Sequence, residues 1–151
     1  MRAPSAPVTP SAGRWLAVVG GTSFVLIGVG TAVALGVRDR LPVEVASHHG
    51  ADGVDATQPL TGYLVTSGAV LAVITVLLAA LTLAMPGAAR RVLGVTQVML
   101  AAVLGMTLYG SLIDQLGLAD ARHAPLPGRW LAAGLGLGAP LAVLVWRLLR
   151  P

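Results

Sequence analysis

The acid–base and metal-ligating groups of this chain are three histidines and six carboxylates, and all of them fall in two polar segments, 38–61 and 114–129. The first holds Asp39, Glu44, His48, His49, Asp52 and Asp55; the second holds Asp114, Asp120 and His123. Imidazole and carboxylate ligands suit Zn²⁺, so His48, Asp52, Asp55 and His123 are the weak candidates for a metal site. Three features weigh against one. Adjacent histidines point in different directions, no His-x₃-His pair sets a geometry, and His123 joins the others only where the two segments touch. The chain has no cysteine, so thiolate sites and disulfides are ruled out. Histidine titrates near pH 6.5, so His48 and His49 could also sense acidification.

No catalytic residue stands out. There is no zinc-binding HExxH and no pair of aspartates within an apolar stretch. No Asp, Glu, Arg or His lies deep inside an apolar run, where proton relays and ion-coupled transporters usually carry such groups. The expectation is a non-enzymatic protein without a cofactor. The bland reading of both polar segments is a solvated connection with local ion pairs.

The stretches that must position these segments are apolar. Of the 151 residues, 56% are hydrophobic and 11% charged, against about 25% charge in a soluble domain. Uncharged runs cover 15–37, 62–85, 92–113 and 130–146. A bilayer core needs roughly 20 helical residues. The pattern predicts an all-α membrane protein: a four-helix transmembrane domain over 14–151, with a structured outer loop between helices one and two. Residues 1–13, rich in Pro, Ser and Ala, predict a disordered tail. Pro86-Gly87 ends the second run, and Pro140 lies inside the fourth, where membrane helices tolerate proline. Ala32-Val33-Ala34 resembles a signal-peptide cleavage site, but the run is longer than the roughly 7–15 residues of a signal; an uncleaved span is expected.

Charge then sets the orientation. One side carries Arg2, Arg14, Arg90, Arg91, Arg147 and Arg150 with no acid. The other carries Arg38, Arg40, Arg122 and Arg129 against six acids, a net charge of −2. Arginine accumulates on the cytoplasmic side, so both termini are expected there and both polar segments outside. Trp15, Trp146, Trp130 and Tyr63 fall at span ends, where aromatic side chains favour the membrane interface. Arginine without any lysine, beside abundant Ala, Gly, Leu and Val, suggests a GC-rich bacterial source and its cytoplasmic membrane. The net charge of +4 and pI near 11.1 do not imply nucleic acid, because the arginines form no stripe on a soluble element. The expected partner is the lipid bilayer, with an extracellular peptide or membrane protein as a further possibility.

Lipid tails are as apolar as leucine, so helices in a membrane meet through small residues and interhelical hydrogen bonds. Gly134, Gly138 and Ala142 form one such stripe on helix four. Gly20, Gly28, Ala32 and Gly36 form another on helix one. Thr66, Ser67, Thr75, Thr96, Thr107 and Ser111 could bond across helices. Gln97, well inside the third span, is expected to face the bundle as structural glue.

The first polar segment is the most specific part of the chain. Leu41-Pro42 precedes Val43, Glu44 and Val45, an alternation that suggests a short extended segment. His48, His49, Gly50, Gly53 and Asp55 follow, and Pro42, Pro59 and the glycines restrict and turn the loop. The set Leu41, Pro42, His48, Gly53 and Asp55 resembles the bacterial membrane family known as domain of unknown function 1648, which also stands at the start of SdpI-type toxin-immunity proteins. The resemblance covers roughly residues 15–85. It departs in two places: His49 stands where the family usually has an aromatic residue, and Asp55 falls one place early. The longer SdpI-type region has no clear match in helices three and four. The resemblance implies a sensing, immunity or accessory role, with Pro42, His48, His49, Gly53 and Asp55 organising the loop or binding a ligand or partner. A metal-dependent activity on the outer face and a small packing subunit of a transporter complex are the alternatives.

Overall fold

A computed structural model describes residues 11–149. Arg2, Arg150 and most of the predicted tail lie outside the described residues. Four helices are long and apolar enough to cross a membrane: α1 (Ala12–Gly36), α2 (Leu60–Ala84), α3 (Gly87–Ile113) and α4 (Gly128–Leu148). The chain is thus an all-α, four-helix membrane protein. Its one sheet among the described residues is a hairpin of β1 (Glu44–Gly50) and β2 (Gly53–Pro59). The alternation predicted around Val43–Val45 is the start of this hairpin.

Helix ends follow local chemistry. Ser11 caps α1, its hydroxyl accepting from the Arg14 N–H at 3.3 Å, so helix begins inside the predicted tail. Residues Leu16–Gly20 of α1 take the wider π pattern. Helix α2 stops at Ala84 because Met85 precedes Pro86 and is extended (φ −90°, ψ 143°), the backbone that the proline ring imposes on its predecessor. Gly87 then takes φ +52°, a left-handed turn that favours glycine. The connection is therefore only Met85-Pro86. Arg90 and Arg91, expected within it, belong instead to the start of α3. Arg90 turns back to α2, donating from Nε to the Met85 carbonyl (2.9 Å) and from Nη2 to that of Leu83 (3.1 Å). A cation at a helix C-terminus satisfies carbonyls that have no partner within the helix.

Helix α3 is the axis of the bundle, burying Gly94, Gln97, Val98, Ala101, Ala102, Gly105, Tyr109 and Leu112 against the other three. Glycine decides how close these helices come. A Cβ on Gly134 would stand 2.7 Å from the Cα of Val103, and one on Gly138 would stand 2.9 Å from the Met99 sulfur. Both glycines and Ala142 are buried on the α3 side of α4. Pro140 is exposed on the other side, so the carbonyl it frees does not interrupt this contact. The glycine stripe expected on α1 is not an interface: Gly20, Gly28 and Gly36 have nothing where a Cβ would point, and Ala32 is exposed. The buried face of α1 carries Trp15, Val19, Ser23 and Ala34 instead. Gly30 lies on that side, in contact with the Tyr109 ring.

Two aromatic residues expected at the lipid interface are turned inward. Trp15 and Tyr63 are each only 3% exposed. The Trp15 ring occupies the space left by Gly94, and Trp130 that left by Gly110. The Tyr63 hydroxyl donates to the Leu108 carbonyl at 2.7 Å. Interhelical polar contacts are few. Gln97 is buried and donates to the Thr75 carbonyl at 3.3 Å, and Thr31 donates to the Tyr109 hydroxyl at 3.0 Å. Thr107 and Ser111 bond within their own helix, as hydroxyls in helices often do. Helices α1 and α4 meet beside Trp15, Val19, Val145 and Leu149. Toward the hairpin they part, leaving an apolar cavity of about 330 Å³ whose walls include Leu26, Gly30, Tyr109 and Trp130.

Candidate functional site

The hairpin stands at the opposite end of the bundle from the Met85-Pro86 turn. Gly50 pairs with Gly53 across a two-residue tip of Ala51 and Asp52. Gly53 has φ +118°, a backbone that side chains rarely adopt. The register slips twice, between Ala46 and His48 and between His48 and His49, leaving Ser47 and Asp55 without opposite partners. Such bulges re-aim side chains, and here they bring the His48 and Asp55 side chains together. His48 Nδ1 and Asp55 Oδ1 are 2.6 Å apart. This hydrogen bond holds the Asp55 carboxyl below the usual carboxylate range. Gly50 makes the space, since a Cβ there would lie 2.8 Å from Asp55 Oδ2. Both partners are more than half exposed, at 69% and 54%.

His49 follows His48 across the second slip, stands opposite Val54 and is half-buried. Its Nε2 is buried without a hydrogen-bond partner. The predicted site residues therefore separate. His48 and Asp55 form a pair with Gly50 and Gly53 supporting the backbone, Pro42 stands at the hairpin base, and His49 is not part of the pair. Among the described residues, no group of three His, Asp or Glu side chains gathers as metal ligands would. Asp52 at the tip and His123 in the second segment do not complete one.

The second segment contributes more than the solvated connection expected of it. Gln115 is fully buried. Its Oε1 accepts the Ala46 N–H at 2.7 Å and its Nε2 donates to the Ser111 carbonyl at 3.3 Å. One side chain thus joins strand β1 to the end of α3. The Gly117 N–H donates to the Arg40 carbonyl at 2.9 Å, and Ala46, Ala121 and Ala124 form a small apolar cluster with Val54 and Leu118. Asp114 is equally fixed, its side chain only 2% exposed. Its Oδ2 accepts from Trp130 Nε1 at 2.9 Å and from Arg129 Nε at 3.1 Å, and its Oδ1 meets Arg129 Nη2. This fork-to-carboxylate pairing ties the end of α3 to the start of α4.

The sequence reading places Asp114, and with it the whole second segment, in solvent. A signal was present: the buried positions of α3 recur as Gln97, Ala101, Gly105, Tyr109 and Leu112, and the same helical spacing reaches Gln115.

Above the anchored platform lies a polar cleft of about 370 Å³ between the hairpin base and the second segment, lined by Pro42, Glu44, Thr57, Asp120 and Arg122 among others. Thr57 donates to Glu44 Oε2 at 2.5 Å. Asp120 accepts the Arg122 N–H at 2.8 Å and so caps the 3-10 turn Ala121–His123. The cleft offers two carboxylates and a guanidinium above a hairpin tied to α3 through Gln115. Such an arrangement can bind charged or polar groups; the His48 imidazole pairs with the Asp55 carboxyl. Comparison of the chain with protein-family models, with curated proteins and with solved structures returned no match.

Proposed function

We propose that this protein works as a non-enzymatic sensing, immunity or accessory protein of the bacterial cytoplasmic membrane, recognising a peptide or membrane-protein partner on its outer face. The arginine imbalance supports an orientation with both termini in the cytoplasm and the hairpin outside. The observation that carries the proposal is Gln115: through it, two polar segments become one platform continuous with the central helix. A rigid platform recognises a partner without the entropy cost of ordering loops. A two-stranded sheet also leaves strand edges unpaired, and unpaired edges accept extended peptides. The adjoining cleft would give such a peptide charge selectivity through Glu44, Asp120 and Arg122.

The test is a photo-crosslinking residue placed at Thr57 or Arg122 in cells of the source organism, with Gly136 on the exposed face of α4 as the comparison. A discrete adduct is expected at the two cleft positions, absent at Gly136, and lost when Gln115 is replaced by Ala. The same adducts at all three positions, or none at the cleft, would overturn the proposal. Reporter fusions at the hairpin tip check the orientation and should give an external signal.

A further inference from the structure

At the end of the bundle away from the hairpin, cations stand without acids. Every Asp and Glu lies in 38–61 or 114–129, while Arg14, Arg90, Arg91 and Arg147 lie near the other helix ends. Two of the four are occupied with helix carbonyls: Arg14 donates from Nη2 to the Leu148 carbonyl at 2.7 Å, and Arg90 caps α2. Arg91 and Arg147 belong to none of the ion pairs among the described residues. The Arg91 guanidinium lies 5.4 Å from the centroid of the Trp146 ring. A guanidinium over an aromatic ring is held by the ring quadrupole and not by N–H···O bonds, so its N–H donors stay available. Arg147 is the next residue after Trp146 and is exposed.

Beside this pair a cavity of about 350 Å³ lies against α3 and α4, lined by Val95, Ala142, Val143, Trp146 and Arg147. Val143 is 52% exposed, on a face that meets lipid in a membrane-spanning helix. The cavity therefore combines an apolar wall with the Arg147 guanidinium at one end and Arg91 alongside, over Trp146, and among the described residues no carboxylate lines it. We infer that it holds an anionic phospholipid, with the phosphate held by Arg91 and Arg147 and an acyl chain along Val95 and Val143. Guanidinium forks match phosphate oxygens, and basic pockets between transmembrane helices bind anionic head groups. A free anion would leave the apolar wall uncovered. A zwitterionic lipid would bring its own cation toward the two arginines.

Protein purified in detergent and titrated with dioleoylphosphatidylglycerol or dioleoylphosphatidylcholine, read by native mass spectrometry, tests the inference. Phosphatidylglycerol should bind in preference. Replacing Arg91 by Gln should weaken it about fivefold, and replacing both Arg91 and Arg147 by Gln about thirtyfold, from about 1 kcal/mol per cation. The R38Q/R40Q variant, altered at the hairpin end, should bind as the unsubstituted protein does. Equal binding of the two lipids, an unchanged affinity in R91Q/R147Q, or displacement of phosphatidylglycerol by millimolar inorganic phosphate would each overturn the assignment. Unsubstituted protein gives a second reading that needs no variant to fold: phosphatidylglycerol should raise its melting temperature more than phosphatidylcholine does, and equal shifts would count against the site.

Discussion

Gly134 in the bundle and Gln115 in the platform each hold together segments distant in sequence, and they do so by opposite means. Gly134 works by having no side chain, so that α4 can rest on the Val103 backbone. Gln115 works by having a long polar one, which reaches across to Ala46. The difference follows from the solvent around each. Among lipid tails, burying apolar groups gives no net drive, and contact distance matters most. On the platform a backbone N–H must be matched once water is excluded, and the Gln115 amide provides the match. Two parts of one small protein thus obey different rules, with α3 belonging to both.

Changes at Gly134, Gln115, Asp114 and Asp55 test that contrast. The largest effect is expected from Gly134→Leu, which forces a side chain into the Val103 backbone and should cost about 3 kcal/mol. Unfolding in mixed micelles measures it. Gly136→Leu on the exposed face should change stability by less than about 0.5 kcal/mol. Equal losses would show that close approach does not hold α4.

Gln115→Ala leaves the Ala46 N–H without its acceptor, at about 2 kcal/mol. Amide exchange across 44–59 should speed up about thirtyfold, while exchange in the middle of α3 and α4 stays near its original rate. A bundle that loosens equally would mean platform and helices are a single unit, and the contrast would fail.

Asp114→Asn keeps the shape but removes the charge that holds Arg129. Arg129 is 67% exposed and can return to water, so the loss should be about 1 kcal/mol. It should appear as easier separation of α3 and α4 in the same micelle unfolding. Loss of 3 kcal/mol or more, about the cost of breaking a fully buried pair, would show that Arg129 is not released to water.

The smallest effect concerns acid. Asp55 titrates below its ordinary value of 3.8 because His48 bonds the carboxylate. Stability from that bond is complete above the ordinary carboxylate range and is lost as pH falls through the lowered value. Both side chains are exposed, so bundle melting should not respond. Exchange at the hairpin tip should rise at strongly acidic pH, and Asp55→Asn should remove that rise. Melting of the bundle that shifts with Asp55 protonation would mean the tip is coupled to the helices.

The four spans were legible because hydropathy is a local property: every run of some 17 to 24 uncharged residues in the chain is a helix of sufficient length. All four helices begin two to five residues before their uncharged runs, most at α3, where Arg90 and Arg91 end the run while continuing the helix; the other ends lie within two residues. The hairpin was half legible. Alternation at Val43–Val45 signalled extended chain, but composition did not announce two bulges, and without them His48 and Asp55 would not meet. The inward turn of Trp15, Tyr63 and Asp114 was not legible for a shared reason: position along the chain says how high a residue stands in the membrane and nothing about which way it points.

By itself the sequence determined that this protein has four membrane-crossing helices and that all six of its acids stand at one end of them, with arginines alone at the other. Both outcomes depend on how each segment partitions between water and lipid, residue by residue. Tertiary structure alone decided that Gln115 accepts from Ala46, 69 positions away, and that Gly94 receives Trp15. Such contacts form only after the helices have chosen their neighbours, and that choice depends on shape complementarity between faces that no single segment contains.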